Sequence, residues 1–170
     1  MNSRRRALTL LELAIVILIL GILAAMGVPR FNESVRGAML QSAALQMAAQ
    51  IDLIRNTAIN EGRTTTLLCD HSTHSYSSPD VDFAERLGTR IFVSLPQTYD
   101  PGFTLAANFD SQQQLTFDYE GIPHVGNAPL ETGQVILSSG RDEYWIQIAT
   151  GTGRTSVTRS VVDGSSGAGG

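Results

Sequence analysis

The sequence predicts an α+β protein: one long N-terminal helix packs on an antiparallel β-sheet, or on a pair of sheets, built from everything that follows it. A change of texture carries that expectation. Residues 7 to 61 read as helix, first uniformly apolar and then apolar along one stripe, whereas after Gly62 short β-prone runs alternate with turn residues. The 170 residues suffice for one modest globular unit plus an extra segment.

The chain opens with Arg4, Arg5 and Arg6, after which Ala7 to Val28 form an apolar run of 22 residues broken only by Thr9 and Glu12. As a helix this run extends about 33 Å, close to the roughly 30 Å of a bilayer's hydrocarbon core. The basic start would hold the N-terminus in the cytoplasm and send everything after Pro29 across the membrane. A secretory signal peptide has the same basic start and apolar centre, and a plain single-span anchor is a second competitor. Neither accounts for Glu12, because a lone carboxylate at that depth costs about 3 kcal/mol.

The run Ala7, Leu8, Thr9, Leu10, Leu11, Glu12 resembles the processing motif of the type IV pilin-like proteins, in which a short basic leader and a small residue precede a pattern close to F-T-L-[IL]-E. The resemblance implies that residues 1–7 are a leader, cut between Ala7 and Leu8 by a membrane-embedded prepilin peptidase. It implies that Leu8 is then N-methylated and that 8–29 is kept as the transmembrane half of the helix. Ala7 stands where the family usually has glycine, and Leu8 where it has phenylalanine. Glu12 thereby acquires partners: the new ammonium at the same depth offsets much of the burial penalty, and the helix start is its positive dipole end. In an assembled filament the family reading pairs Glu12 with the terminal amine of a neighbouring subunit, which makes it an assembly residue. A protonated or snorkelling Glu12 is the bland alternative. Pro29 sits where the family commonly has a helix-bending proline, and its missing N–H predicts a kink, with a helix stop at Pro29 as the competing reading.

Residues 30–61 form the amphipathic half. Leu40, Ala44, Met47, Ile51, Ile54 and Ala58 recur at spacings of four and three and so share one face, with Gln41, Ser42, Gln46, Gln50, Asp52 and Asn56 opposite. Gly62 is suited to end the helix near residues 60 to 61. From 62 to 163 a β-rich domain is expected, with strands at 64–69, 90–95, 103–108, 114–119, 134–139, 144–149 and 155–162. In the strand YWIQIA, Tyr144, Ile146 and Ile148 share a face. Residues 70–82 are polar and read as a long loop, and the Gly/Ser tail 164–170 as flexible linker composition.

Little here points to catalysis. His71 and His74, with Asp70 or Asp80, are the candidates for a metal, but two histidines in a Ser-rich loop read more simply as solvated side chains. His124 reads as a turn residue, and no nucleophile elbow, phosphate loop or dinucleotide fingerprint occurs, so neither an enzyme nor a cofactor is expected. The lone Cys69, between apolar neighbours, reads as a small buried residue. All twelve basic residues are Arg, and loss of the leader would leave nine against sixteen acids. Such an acidic surface argues against DNA binding, for which Arg154 and Arg159 are the candidates.

A long helix before a β-rich domain, with the short runs DYEGIP and IATGTGRTSV, resembles the GspH/FimT branch of minor pilins and pseudopilins. Some members of that branch take up DNA through arginines near the C-terminus. The resemblance implies a bacterial inner-membrane, single-pass subunit with a periplasmic C-terminal domain, stored in membrane lipid before assembly. Its partners would be other pilin or pseudopilin subunits, the prepilin peptidase and an inner-membrane assembly platform. The implied role is a minor pseudopilin of type II secretion. A minor type IV pilin, or a static single-span binding protein, are the alternatives.

Overall fold

The computed structural model describes residues 10–84 and 86–161, with side chains described for all of these except 23–32, 86, 87 and 161. The leader, the junction of Ala7 with Leu8 and the tail 164–170 lie outside the described residues. The architecture is α+β. Helix α1 (Leu10–Glu61) runs through Pro29 rather than stopping there, and the chain divides into two compact units, Met1–Arg36 and Gly37–Gly170.

In the second unit all six stripe residues, Leu40, Ala44, Met47, Ile51, Ile54 and Ala58, are completely buried, joined by Ala43 and Ala48. Their spacing forms a band down one side of the helix, and an apolar band must be covered to be stable in water. Leu67, Ile91 and Phe117 of one sheet and Leu105, Val135, Leu137 and Ile146 of the other complete the same core. Gln50, expected on the polar face, is buried as well, because the band widens toward it. The helix ends where Gly62 takes φ 62° and the Arg63 N–H reaches back to the Ala58 carbonyl at 3.2 Å, which closes the last turn with a Schellman-type bond.

The β elements are β1 (Thr65–Asp70), β2 (Ser75–Phe83), β3 (Arg86–Ser94), β4 (Thr104–Phe109), β5 (Gln114–Phe117), β6 (Pro123–Val125), β7 (Ala128–Pro129), β8 (Gly133–Ser139), β9 (Asp142–Ile148) and β10 (Thr155–Val161), with a short helix α2 (Leu95–Thr98) after β3. One sheet has the order β3-β2-β1-β5-β6-β7 and the other β10-β9-β8-β4, and every pairing is antiparallel. As expected of YWIQIA, Tyr144, Ile146 and Ile148 point into the core.

The expectation of a loop over 70–82 is overturned. Only residues 71–74 form a turn, and Ser75–Phe83 is strand β2, inserted between β1 and β3. Its serines disguise it: Ser75, Tyr76 and Ser78 are buried, Ser75 and Tyr76 between β1 and β3 and Ser78 beside β3, so side chains that look solvated need not be. Pro79 is accommodated where the β2–β3 register shifts between Ser78 and Asp82, as a proline in a strand requires. Strand β3 also starts earlier than the expected residue 90, and Leu95 opens α2 because Pro96 suits a first helical turn.

Truncating the centre of the helix stripe tests this packing. Ile51→Ala should destabilise the Gly37–Gly170 unit by about 2–5 kcal/mol, while Gln41→Ala on the exposed face should change stability by less than about 0.5 kcal/mol, both read from urea unfolding of the full chain in detergent.

Candidate functional site

Leu10 to Ile22 of α1 are exposed on every side of the helix, Leu10 at 87% and Leu18 at 63%. A helix that is apolar all round is a helix made to be covered, by lipid or by protein. Among the described residues no helix is long and apolar enough to cross a membrane. The described apolar surface measures about 20 Å at 1.5 Å per residue, and the rest of the expected span lies where side chains are not described. Glu12 stands in the first described turn, itself exposed among these leucines and isoleucines. It is the charged side chain in the stretch 10–22, so any partner that covers this surface must also satisfy a carboxylate.

In the second unit, Arg55 ties the helix to two turns. Its Nε–H is shared between the Gly121 carbonyl at 3.2 Å and the Thr152 carbonyl at 2.6 Å, and one Nη donates to Asn56. The first turn is shaped by Asp118, whose Oδ1 accepts the N–H groups of Glu120 and Ile122 at 2.9 and 2.8 Å. In the second, Gly153 takes φ 65°, and a Cβ built there would lie 2.6 Å from the Gly121 carbonyl oxygen. The runs DYEGIP and IATGTGRTSV, distant in sequence, therefore meet around one guanidinium. Sequence reasoning missed Arg55 because its partners are backbone carbonyls, which leave no mark in side-chain patterns. Two further bonds fasten the helix to the strands: Thr65 Oγ1 donates to the Ile54 carbonyl at 2.9 Å, and Thr155 Oγ1 to Asp52 Oδ2 at 2.9 Å.

The histidines are not solvated as expected. His71 Nε2 accepts the Ala107 N–H at 2.7 Å and His74 Nδ1 accepts the Leu105 N–H at 3.2 Å, so the turn 71–74 binds the outer edge of β4. The signal available was the His-x-x-His spacing, which fits two donors at alternate positions of a strand. Asp70 is engaged with Ser72 and Thr73, and the Ser72 hydroxyl above all holds its carboxyl down at about 2. Asp80 accepts the Thr66 N–H at 2.9 Å instead of joining the histidines, and among the described residues no cluster of three metal-ligating side chains occurs. His124 lies on β6 rather than in a turn, with Nδ1 3.0 Å from the Ile122 carbonyl and 3.8 Å from Asp118 Oδ2.

Arg159 is paired with Asp142 at 2.9 Å, while Arg154 precedes β10 and is exposed. Cys69 is buried, and burial pushes its thiol up to about 12. Beside α1, an open groove of about 1000 Å³ is lined by Gln46, Gln50, Leu53, Phe83 and Phe92, and the buried Gln50 Oε1 has no hydrogen-bond partner among the described residues.

The sequence profile of the type II transport protein GspH matches residues 43–158, and that of the prokaryotic N-terminal methylation motif matches residues 2–28. No curated protein matches the chain. Among solved structures, the type IV minor pilin FimU of Pseudomonas aeruginosa aligns with a TM-score of 0.50 at 16% identity, over 70% of this chain and 87% of its own. The minor pseudopilin EpsH from the type 2 secretion system of Vibrio cholerae aligns with a TM-score of 0.50 at 11% identity, over 71% of this chain and 95% of its own. At such identities both are likenesses of fold.

Two measurements check this geometry. Gly153→Ala should destabilise the Gly37–Gly170 unit by about 2 kcal/mol or more, since it adds a left-handed conformational cost to a steric one, whereas Gly151→Ala, with open space around it, should not. Cys69 should resist an aromatic disulfide reagent at pH 8 and react once urea unfolds the chain. The folded thiol keeps its proton to about 12 against an ordinary 9.0, so its contribution to stability is intact below pH 9 and is lost as the pH climbs toward 12.

Proposed function

Because the chain belongs to the type II transport protein GspH family, we propose that it serves as a minor pseudopilin-like structural subunit of a type II secretion filament, a structural rather than an enzymatic role. The observation that carries this reading is the conjunction of the family match over 43–158 with the methylation motif over 2–28. One alone would leave a β-rich head without a means of polymerising, or an anchor without a defined head.

On this proposal the precursor sits in the bacterial inner membrane with its N-terminus cytoplasmic and its β-rich head periplasmic. Prepilin peptidase cuts between Ala7 and Leu8, and the freed, methylated amine of Leu8 supplies a cation for Glu12. An intermolecular pair in low dielectric is strong only where geometry is right, so it selects the axial stagger between subunits rather than merely adding affinity. Pro29, with no N–H for the helical ladder, would give the helix a local compliance between its packed parts. The exposed surface of Leu10 to Ile22 supports a covered position for this segment, in lipid before assembly and among other helices afterwards.

Mass spectrometry of the mature protein should find an N-terminal peptide that begins at methylated Leu8; an intact Arg4-Arg5-Arg6 leader would sink the proposal. Glu12→Ala should be processed normally yet fall at least tenfold in sheared filaments, and Glu12→Asp, which keeps the charge, should retain part of its incorporation. Equal incorporation of Glu12→Ala and the natural chain would remove the charge-pair mechanism while leaving the processing reading intact.

A further inference from the structure

The outer edge of β4 is the end of the four-stranded sheet, where a strand normally presents unpaired N–H groups. Here two of those groups, on Leu105 and Ala107, are taken by imidazole nitrogens from the turn between β1 and β2, a turn that belongs to the other sheet. The clasp therefore joins the two sheets, and it does so with acceptors that exist only on neutral histidine. A neutral imidazole has one acceptor nitrogen; an imidazolium has none.

The two histidines differ in what acid would do to them. His71 accepts through Nε2 and so carries its proton on Nδ1; a second proton would face the Ala107 N–H donor to donor, at an atom separation of 2.7 Å in the present bond. Ala107 is only 7% exposed, so water cannot readily replace the lost acceptor. His74 accepts through Nδ1, but that nitrogen also lies 3.4 Å from the Leu105 carbonyl oxygen, so a proton gained there finds an acceptor on the same residue. Among the described residues, His71 has no such second acceptor on β4.

We propose that the His71–Ala107 bond is an acid-released clasp: protonation of His71 frees the outer edge of β4 near Ala107 while the rest of the domain stays folded. The other ionisable groups on the elements packed around the clasp do not compete with the two histidines. β4 has no ionisable side chain. β1 brings Cys69 and Asp70, β2 brings Tyr76, and Tyr99 follows α2. Asp70 loses its charge only at about pH 2, the Cys69 thiol titrates at about 12, and burial drives both tyrosines upward. None of these four changes charge between pH 7.5 and 5.5. An opened β4 edge would expose main-chain donors and acceptors able to pair with another extended chain.

The test is amide deuterium exchange of the full chain in detergent at pH 7.5 and 5.5, corrected for the intrinsic pH dependence of exchange and referenced to β9. Protection at Ala107 should fall about tenfold more than in β9 on acidification, and His71→Gln, whose amide oxygen accepts at either pH, should abolish that extra fall while His74→Gln does not. Unchanged Ala107 protection in the natural chain, or an equal fall in His71→Gln, overturns the proposal. Nitrogen NMR of the imidazoles gives a second readout that needs no variant: protonation of His71 Nε2 should coincide with Ala107 exposure in one titration, and opening at a clearly different pH overturns it.

Discussion

The Gly37–Gly170 unit depends on one constraint: a single stripe on α1 has to be covered by two sheets at once. Leu40, Met47, Ile51 and Ile54 supply volume, and Ala43, Ala44, Ala48 and Ala58 between them keep the helix surface low enough for strands to approach. A single twisted sheet has one face to offer a helix, and here the second sheet closes the core from another side. Remove the stripe and neither sheet has a common partner, because Leu67 and Phe117 on one and Leu137 and Ile146 on the other belong to the same buried cluster.

Apolar packing of this kind is tolerant of small sliding, and the polar ties remove that freedom. The Thr65 hydroxyl on the Ile54 carbonyl fixes where the first strand leaves the helix, and Thr155 on Asp52 fixes the last strand against nearly the same helical turn. Each bond contributes on the order of 1 kcal/mol, which is small beside the core. Their value lies in direction: they specify register where burial specifies only proximity.

Much of this was legible in the sequence, and the reasons for the gaps are physical. The stripe was readable because helical periodicity is a one-dimensional pattern, and so was the alternation of Tyr144, Ile146 and Ile148. Strand β2 was not, since Ser75 and Ser78 have polar side chains whose burial depends on the strands beside them, where Ser75 faces Asp70 and Ser94 and Ser78 faces Ile91. Gln50 failed for a related reason: a single amide on the margin of a stripe can fall to either side. Glu12 was conspicuous because it contradicts its surroundings, whereas Arg55, an ordinary cation near the end of a helix, gives no hint that two backbone carbonyls await it. Residues that break a pattern announce themselves; residues that complete someone else's turn do not.

The shared guanidinium of Arg55 has a consequence for how this domain can diversify. Because the same N–H holds Gly121 and Thr152, and Gly153 rests on Gly121, the two hairpin connections can change length only together. Natural variation and grafted epitopes alike should then collect elsewhere, at connections such as Gly126-Asn127, which has open space around it, although Gly126 at φ 61° is itself best kept as glycine. The fold thus separates a corner whose two turns are tied together from rims that bear on no other turn.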